Sequence, residues 1–154
     1  MSVQIVLGSK SDMKVADRAI AVLRELGVKY KLNIASAHRT PELVDRLVRE
    51  ADAEVFIAIA GLSAALPGVI AARTTKPVIG VPVSGTLNLD AILSVVQMPP
   101  GVPVAGVGLD RGDNAALLAA EMLAIKDEKI RESLSNYRKK MRDKIAQDSK
   151  EVEV

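Results

Sequence analysis

Five short apolar runs recur along the chain and limit the folds that it can adopt. They are VQIVL (3–7), KYKLNIA (29–35), EVFIAIA (54–60), KPVIGVPV (76–83) and VPVAGVG (102–108). Each has the length of a β-strand, and the third is apolar nearly throughout, which is typical of a strand that is covered on both faces. We therefore expect five strands, of which the third is buried.

Helical patterns fill the intervals between these runs. Residues 12–26 carry apolar side chains at helical spacing and stop before Gly27, and residues 41–50 begin with Pro41, which suits a first helical turn. Further helices are predicted at 64–73, 86–96 and 113–125. Strands that alternate with helices favour a parallel sheet. We predict an α/β fold of one domain, 1–154: a flavodoxin-like three-layer sandwich with strand order 2-1-3-4-5.

The last segment, 127–154, differs from the α/β core of 1–126. An apolar stripe at spacings of three and four runs through its many charges: Ile130, Leu134, Tyr137, Met141 and Ile145. This pattern predicts an amphipathic helix. The stripe can pack on its own domain or on a neighbouring subunit. We favour the neighbouring subunit, because the five-stranded core is closed without the helix.

Composition excludes several classes of function. A net charge of +2 and an aromatic content of 2% provide neither the basic face nor the stacking rings that nucleic-acid binding needs. The absence of cysteine excludes disulfides and thiolate metal sites and fits a reducing compartment. The N-terminus, MSVQIVLGSK, does not read as a signal peptide, and no apolar run approaches the ~20 residues of a membrane helix. We expect a cytoplasmic protein without nucleic-acid or membrane partners.

Three polar loops are predicted to meet at one edge of the sheet. In such folds, ligands bind beyond the carboxyl ends of the strands, where the strand order reverses. With the order 2-1-3, the loops after the first three strands are neighbours. They read GSKSD (8–12), SAHRT (36–40) and GLSAALPG (61–68). The sequence therefore predicts one crevice lined by all three.

The first loop has the residues of an anion-binding turn. Gly8 permits a tight turn, Ser9 and Ser11 offer hydroxyls, and Asp12 suits a cap or a first helical turn. Free N–H groups and the helix dipole favour an anion at such a place. A plain helix cap explains the same residues. The loop lacks the glycine spacing and the Lys-Ser/Thr pair of a triphosphate loop, so a monophosphate is the better ligand.

The other two loops supply an acid/base candidate and small residues. His38 is the only histidine of the chain, and Arg39 beside it has a planar fork that suits phosphate, with Ser36 in support. A lone histidine is often a surface residue, but at the ligand edge an imidazole can exchange protons near neutral pH. Gly61 and Ser63 offer backbone groups and a hydroxyl to a flat ligand, although a close helix–sheet contact also explains small residues there.

Several of these segments together resemble the PurE family of purine biosynthesis. They are GSKSD, SAHRT, LPG, PVIGVPV, QMPPGVPVA and NAALLAAEML, in family order over residues 3–125. The resemblance implies the flavodoxin-like sheet and formation of 4-carboxy-5-aminoimidazole ribonucleotide. It also implies a homo-octamer (or tetramer) whose C-terminal helices reach across subunits. No metal and no organic cofactor is implied; the partners are a ribonucleotide and carbon dioxide.

The resemblance also assigns roles to residues. Ser9, Asp12, Ser36 and Arg39 match the family's nucleotide-binding positions. Arg39 and the serines would hold the phosphate, and Asp12 the ribose hydroxyls. His38 matches the catalytic histidine. It would remove the proton from the carboxylated, tetrahedral ring carbon and so restore aromaticity.

The family has two branches, a carboxylase (a lyase) that uses free carbon dioxide and a mutase (an isomerase) that moves a carboxylate from the exocyclic nitrogen. The mutase usually has a longer third loop, of the form GAGGAAHLPG, with a second histidine. The shorter GLSAALPG and the charged tail favour the carboxylase, whereas Arg39, LPG and QMP favour the mutase. The sequence thus predicts the carboxylase, with the mutase as the alternative.

Functions outside this family fit the sequence less well. A flavin carrier usually presses aromatic rings on its cofactor, and none of the three rings, Tyr30, Phe56 and Tyr137, lies in a predicted edge loop. A phospho-receiver domain needs an aspartate at the end of the third strand, where this chain reads IAGLS. A nucleotide-binding regulator without catalysis remains open.

Overall fold

Five parallel strands form the centre of the structure, a computed structural model that describes residues 1–152. The strands are β1 (Ser2–Leu7), β2 (Lys29–Ile34), β3 (Val55–Ala60), β4 (Val78–Pro82) and β5 (Ala105–Gly106). The helices are α1 (Met13–Glu25), α2 (Pro41–Glu50), α3 (Leu66–Ala71), α4 (Asn88–Val96), α5 (Gly112–Ala124) and α6 (Glu128–Val152). The strand order is β2-β1-β3-β4-β5. This order confirms the prediction.

Helices cover both faces of the sheet. Apolar side chains of α1, α5 and the start of α6 form one core with the sheet, and those of α2, α3 and α4 form a second core on the opposite face. β3 lies between them and is buried along its whole length, as its apolar sequence predicts. The three-layer, flavodoxin-like architecture is therefore confirmed.

The register of the sheet aligns the carboxyl ends of the first three strands. Leu7 of β1 pairs with Ile34 of β2 on one side and with Ile59 of β3 on the other. The Gly8 amide continues the ladder by donating to the Ile59 carbonyl at 3.0 Å, and the Ala35 amide donates to the Leu7 carbonyl at 2.9 Å. The loops that follow these strands consequently leave the sheet side by side.

Helices α1 and α5 touch backbone to backbone at Gly112. A Cβ atom at this position would lie 2.1 Å from the carbonyl oxygen of Val15 and 3.3 Å from the amide nitrogen of Ala19. The facing residues are also small: Ala16, Ala19, Ala115, Ala116 and Ala119 are all fully buried. The spacing of the two helices is thus set by residues that have almost no side chain.

The last strand is much shorter than predicted. The apolar run 102–108 suggests seven residues, but only Ala105 and Gly106 pair with β4, opposite Ile79 and Gly80. Pro103 has no N–H to donate to a ladder, and Gly101 turns the chain with φ = +90°. The number of residues that pair with β4 is therefore smaller than the length of the apolar run predicts.

The C-terminal helix packs on its own domain only in its first half. Ile130 and Leu134 are buried beside α5, and Tyr137 is partly buried on the same core. Met141 and Ile145, further along the predicted stripe, are 55% and 68% exposed. Packing of this second half on a neighbouring subunit stays a prediction, and the last two residues of the predicted segment lie outside the described residues.

Candidate active site

The first loop forms a 3₁₀ turn, Lys10–Asp12, that leads directly into α1. The Ser11 amide donates a hydrogen bond to Ser9 Oγ (3.4 Å), and the Ser9 amide donates one to Asp12 Oδ2 (3.1 Å). These reciprocal bonds form a capping box that fixes the turn. Asp12 thus lies in the first turn, as one of the two sequence interpretations has it, and Ser9 is the residue that caps the 3₁₀ turn. Contact of Ser9 and Asp12 with a ligand stays a prediction.

Asp12 is a carboxyl group buried at the mouth of this turn, with 6% of its surface exposed. Burial raises its pKa above the ordinary value of 3.8. Hydrogen bonds from the Ser11 hydroxyl and the Ser9 amide, and the positive charge of Arg39, oppose the rise. Burial therefore makes the charged form of this carboxyl less favourable in the folded state than in water. Such a group is a good candidate for binding hydroxyls of a ligand.

Replacing Asp12 with asparagine is expected to stabilise the protein at pH 7. A carboxyl whose pKa is higher in the folded than in the unfolded state stabilises the fold most at pH values below its unfolded pKa, and this contribution is lost as the pH rises through the folded value. The free energy of unfolding should therefore be larger for Asp12→Asn than for wild type at neutral pH, and the difference should shrink toward about pH 3.5. Urea unfolding of both proteins across this range measures it, and a gain independent of pH would contradict the assignment.

Arg39 joins the second loop to the first. Its Nη2 donates to the carbonyl oxygen of Gly8 (3.0 Å), and its Nε donates to Ser36 Oγ (3.3 Å). The guanidinium is thereby held beside the first loop, with its remaining N–H groups available to an anion. Thr40 closes the same loop: its hydroxyl accepts from the Ser36 amide at 2.9 Å, and its own amide donates to the Ser36 carbonyl at 2.9 Å.

The three loops line one crevice of about 390 Å³, within the size range of small-molecule sites. Every residue predicted from the sequence lies on its wall: Ser9, Ser11, Asp12, Ser36, His38, Arg39, Gly61 and Ser63. The predicted convergence of the loops is therefore confirmed. The exposed His38 is the only aromatic ring in the lining, so the crevice has no phenyl, phenol or indole surface for a flavin.

The wall also includes residues that the sequence did not single out as ligand contacts. Five of them belong to the predicted loops 36–40 and 61–68, and the sixth is the last residue of β3: Ala37, Leu62, Ala64, Ala65, Leu66 and Ala60. Thr40 and Asp90 hold two of the loops through hydrogen bonds. Thr40 ends the SAHRT segment and could have been found from the sequence, whereas Asp90 lies 27 residues from its partner, Ser63, and could not.

Within residues 1–152, no three His, Asp or Glu side chains are grouped to hold a metal ion.

A family model described as AIR carboxylase matches residues 2–144 of the chain. Among the curated relatives, the N5-carboxyaminoimidazole ribonucleotide mutase of Methanocaldococcus jannaschii is 59% identical over 152 residues, which cover 97% of both chains. The mutase of Pyrococcus abyssi is 52% identical over 145 residues, or 91% of this chain and 83% of that protein. A probable mutase of Methanobrevibacter smithii is 51% identical, but the chain spans only 45% of its length.

Solved structures agree with these sequence matches. The crystal structure of Treponema denticola PurE superposes with a TM-score of 0.90 at 32% sequence identity, covering 99% of this chain and 98% of that one. A variant of Treponema denticola PurE2 gives a TM-score of 0.91, also at 32% identity, and covers 100% of both chains. The similarity therefore includes the C-terminal helix as well as the sheet.

None of the helices described in residues 1–152 is long and apolar enough to cross a membrane.

Proposed function

The chain belongs to the AIR carboxylase (PurE) family, and from this premise we propose that it is an N5-carboxyaminoimidazole ribonucleotide mutase of purine biosynthesis. One observation carries the proposal: a single crevice joins an anion-binding turn, an arginine and the only imidazole of the chain. These are the groups needed to hold a phosphorylated ribonucleotide and to move one proton on it. A homo-octamer (or tetramer) in the cytoplasm remains part of this proposal.

The names of the relatives correct the preference for the carboxylase. That preference rests mainly on the short third loop, which lacks a second histidine, and on the charged tail. Relatives that are 59% and 52% identical over most of the chain are mutases by name, which supports the alternative instead. Loop length is a weak discriminator because loops tolerate insertions and deletions with little effect on the fold. Arg39 and the segments LPG and QMP were the better indicators.

In the proposed complex, the phosphate lies between the first and second loops. Arg39 binds it with the N–H groups not used by Gly8 and Ser36, assisted by the hydroxyls of Ser9 and Ser36. The Asp12 carboxylate accepts hydrogen bonds from the ribose hydroxyls. The imidazole ring of the substrate then lies against the third loop, where Gly61 and small side chains permit close approach.

The reaction needs one proton carrier. His38 in its charged form donates a proton to the exocyclic nitrogen of the substrate, the nitrogen–carboxylate bond breaks, and carbon dioxide and aminoimidazole ribonucleotide are formed. The ring carbon, an enamine nucleophile, attacks the retained carbon dioxide. His38, now neutral, removes the proton from that carbon and is charged again. The crevice contributes by keeping the two fragments oriented, which is worth several powers of ten in rate.

The test compares two substrates under the same conditions. Purified protein is given N5-carboxyaminoimidazole ribonucleotide in one experiment and aminoimidazole ribonucleotide with bicarbonate in another, and formation of 4-carboxy-5-aminoimidazole ribonucleotide is followed. A mutase uses the first efficiently and the second only at high bicarbonate. Efficient use of the second at low bicarbonate would instead establish the carboxylase, and use of neither would refute both.

Replacing Arg39 with alanine is expected to weaken substrate binding. The loss of a charge-assisted contact to phosphate should raise KM about thirtyfold while kcat changes much less, since phosphate does not react. Arg46→Ala is the matched control, because Arg46 is an exposed arginine of α2 outside the crevice lining. Steady-state kinetics of both variants measure the effect. An unchanged KM in Arg39→Ala would refute the phosphate contact.

A further inference from the structure

The third loop of the crevice has an unusual backbone conformation at Ser63. Its φ angle is +54°, in the left-handed region that side chains other than glycine adopt at a cost. Ser63 and its neighbours Gly61, Leu62, Ala64 and Ala65 form one wall of the crevice. A strained residue persists only when surrounding contacts hold it, so the position of this wall depends on what fixes Ser63.

An acidic residue from a distant helix holds the Ser63 backbone. The Ser63 amide donates a hydrogen bond of 3.1 Å to Oδ2 of Asp90, which lies in the first turn of α4. The bond spans 27 residues and joins the crevice to the half of the chain that follows β4. The next residue of each segment, Ala64 and Ala91, is buried in the same core, which anchors both ends of the contact.

We propose that Asp90 is a positioning residue of the active site: its carboxylate holds Ser63 in the left-handed conformation and so sets the wall against which the substrate ring lies. The inference rests on the proposed function for its effect on turnover, but not for its effect on the loop. Asp90 is not in the crevice lining and acts through Ser63. A charged acceptor strengthens the hydrogen bond that opposes the backbone strain.

Four variants test the proposal by kinetics: two at Asp90, one at Ser63 and one double variant. Asp90→Ala should lower kcat/KM about fivefold, whereas Asp90→Asn, whose amide oxygen can accept the same bond, should stay within about twofold of wild type. Glycine at position 63 adopts the left-handed conformation without strain. In a Ser63→Gly background, Asp90→Ala should therefore cost less than in the parent, and the double-mutant cycle should show coupling. Equal losses in the two backgrounds would overturn the proposal.

A control separates this role from general support of the helix terminus. Asp113 is likewise an acidic residue in the first turn of a helix, α5, and lies outside the crevice lining. Asp113→Ala should lower the melting temperature without changing kcat/KM. If Asp90→Asn lost as much activity as Asp90→Ala, with a matching loss of melting temperature, Asp90 would be a helix-stabilising residue only.

Hydrogen exchange decides the role of Asp90 even without an active enzyme. Backbone amides of residues 61–65 should exchange faster in Asp90→Ala than in wild type, and at an intermediate rate in Asp90→Asn, whose neutral amide oxygen accepts a weaker bond. If wild type consumed neither ribonucleotide, the proposed function would fail while faster exchange still supported Asp90 as the residue that holds the loop. Unchanged exchange in Asp90→Ala would overturn the inference whatever the activity.

Discussion

Replacing His38 with asparagine is expected to lower turnover by about a thousandfold while leaving ribonucleotide binding nearly unchanged. Histidine is the side-chain type that both donates and accepts protons near neutral pH, and His38 is the only histidine in the crevice lining. Asparagine is smaller than histidine and keeps a hydrogen-bonding group near the position of the ring Nδ1, but it cannot transfer a proton. His38 is exposed, so the fold should lose little stability.

The measurement needs both kinetics and binding. Single-turnover rates with the N5-carboxylated substrate report the chemical step, and calorimetric titration with the reaction product reports binding. Lys10→Ala is the matched control, because Lys10 is exposed in the first loop but is not part of the crevice lining. It should leave both quantities within about twofold of wild type. An equal loss of turnover and of binding in His38→Asn would contradict an acid/base role.

Replacing Gly112 with alanine should destabilise the protein by about 3 kcal/mol, at the upper end of overpacking effects. The added methyl group would lie 2.1 Å from the Val15 carbonyl oxygen, and the three atoms nearest to it are all backbone atoms of α1. No rotamer change can relieve such a clash, so the helices must separate. For a chain of this length, the melting temperature should fall by about 10 °C.

The matched control for this change is Gly85→Ala. A Cβ atom at Gly85 would meet no heavy atom within 4 Å, and its φ is not in the positive region. Its melting temperature should therefore stay close to that of wild type. Calorimetry of the two alanine variants measures the difference between a packed and an open glycine. Equal stability of both variants would show that α1 and α5 can separate without cost.

The sequence was sufficient for the topology and for most of the site. Strand-length apolar runs separated by helical patterns dictate a parallel sheet, and the order 2-1-3 then places three loops side by side. The prediction of the crevice thus needed only the carboxyl ends of β1, β2 and β3, not any contact between side chains. His38 and Arg39 were identifiable because they directly follow a strand that ends at that edge.

Contacts between distant segments could not be predicted. Gly112 looks like an ordinary residue before a helix, and only the approach of α1 shows why it has no side chain. Asp90 carries no local motif, because its partner lies in another loop. The two-residue length of β5 depends on pairing with β4 rather than on the apolar character of its own run. In each case the deciding interaction joins residues that are far apart in sequence.

The single imidazole in the crevice can be observed by nuclear magnetic resonance without attaching a label to the protein. Because the chain has one histidine, the Hε1 signal of His38 is the only imidazole Hε1 signal in a spectrum recorded in D2O after amide exchange. Its movement with pH follows the protonation of the proposed proton carrier directly. Its movement on addition of ribonucleotide reports occupancy in any variant that keeps His38, including those too slow to assay.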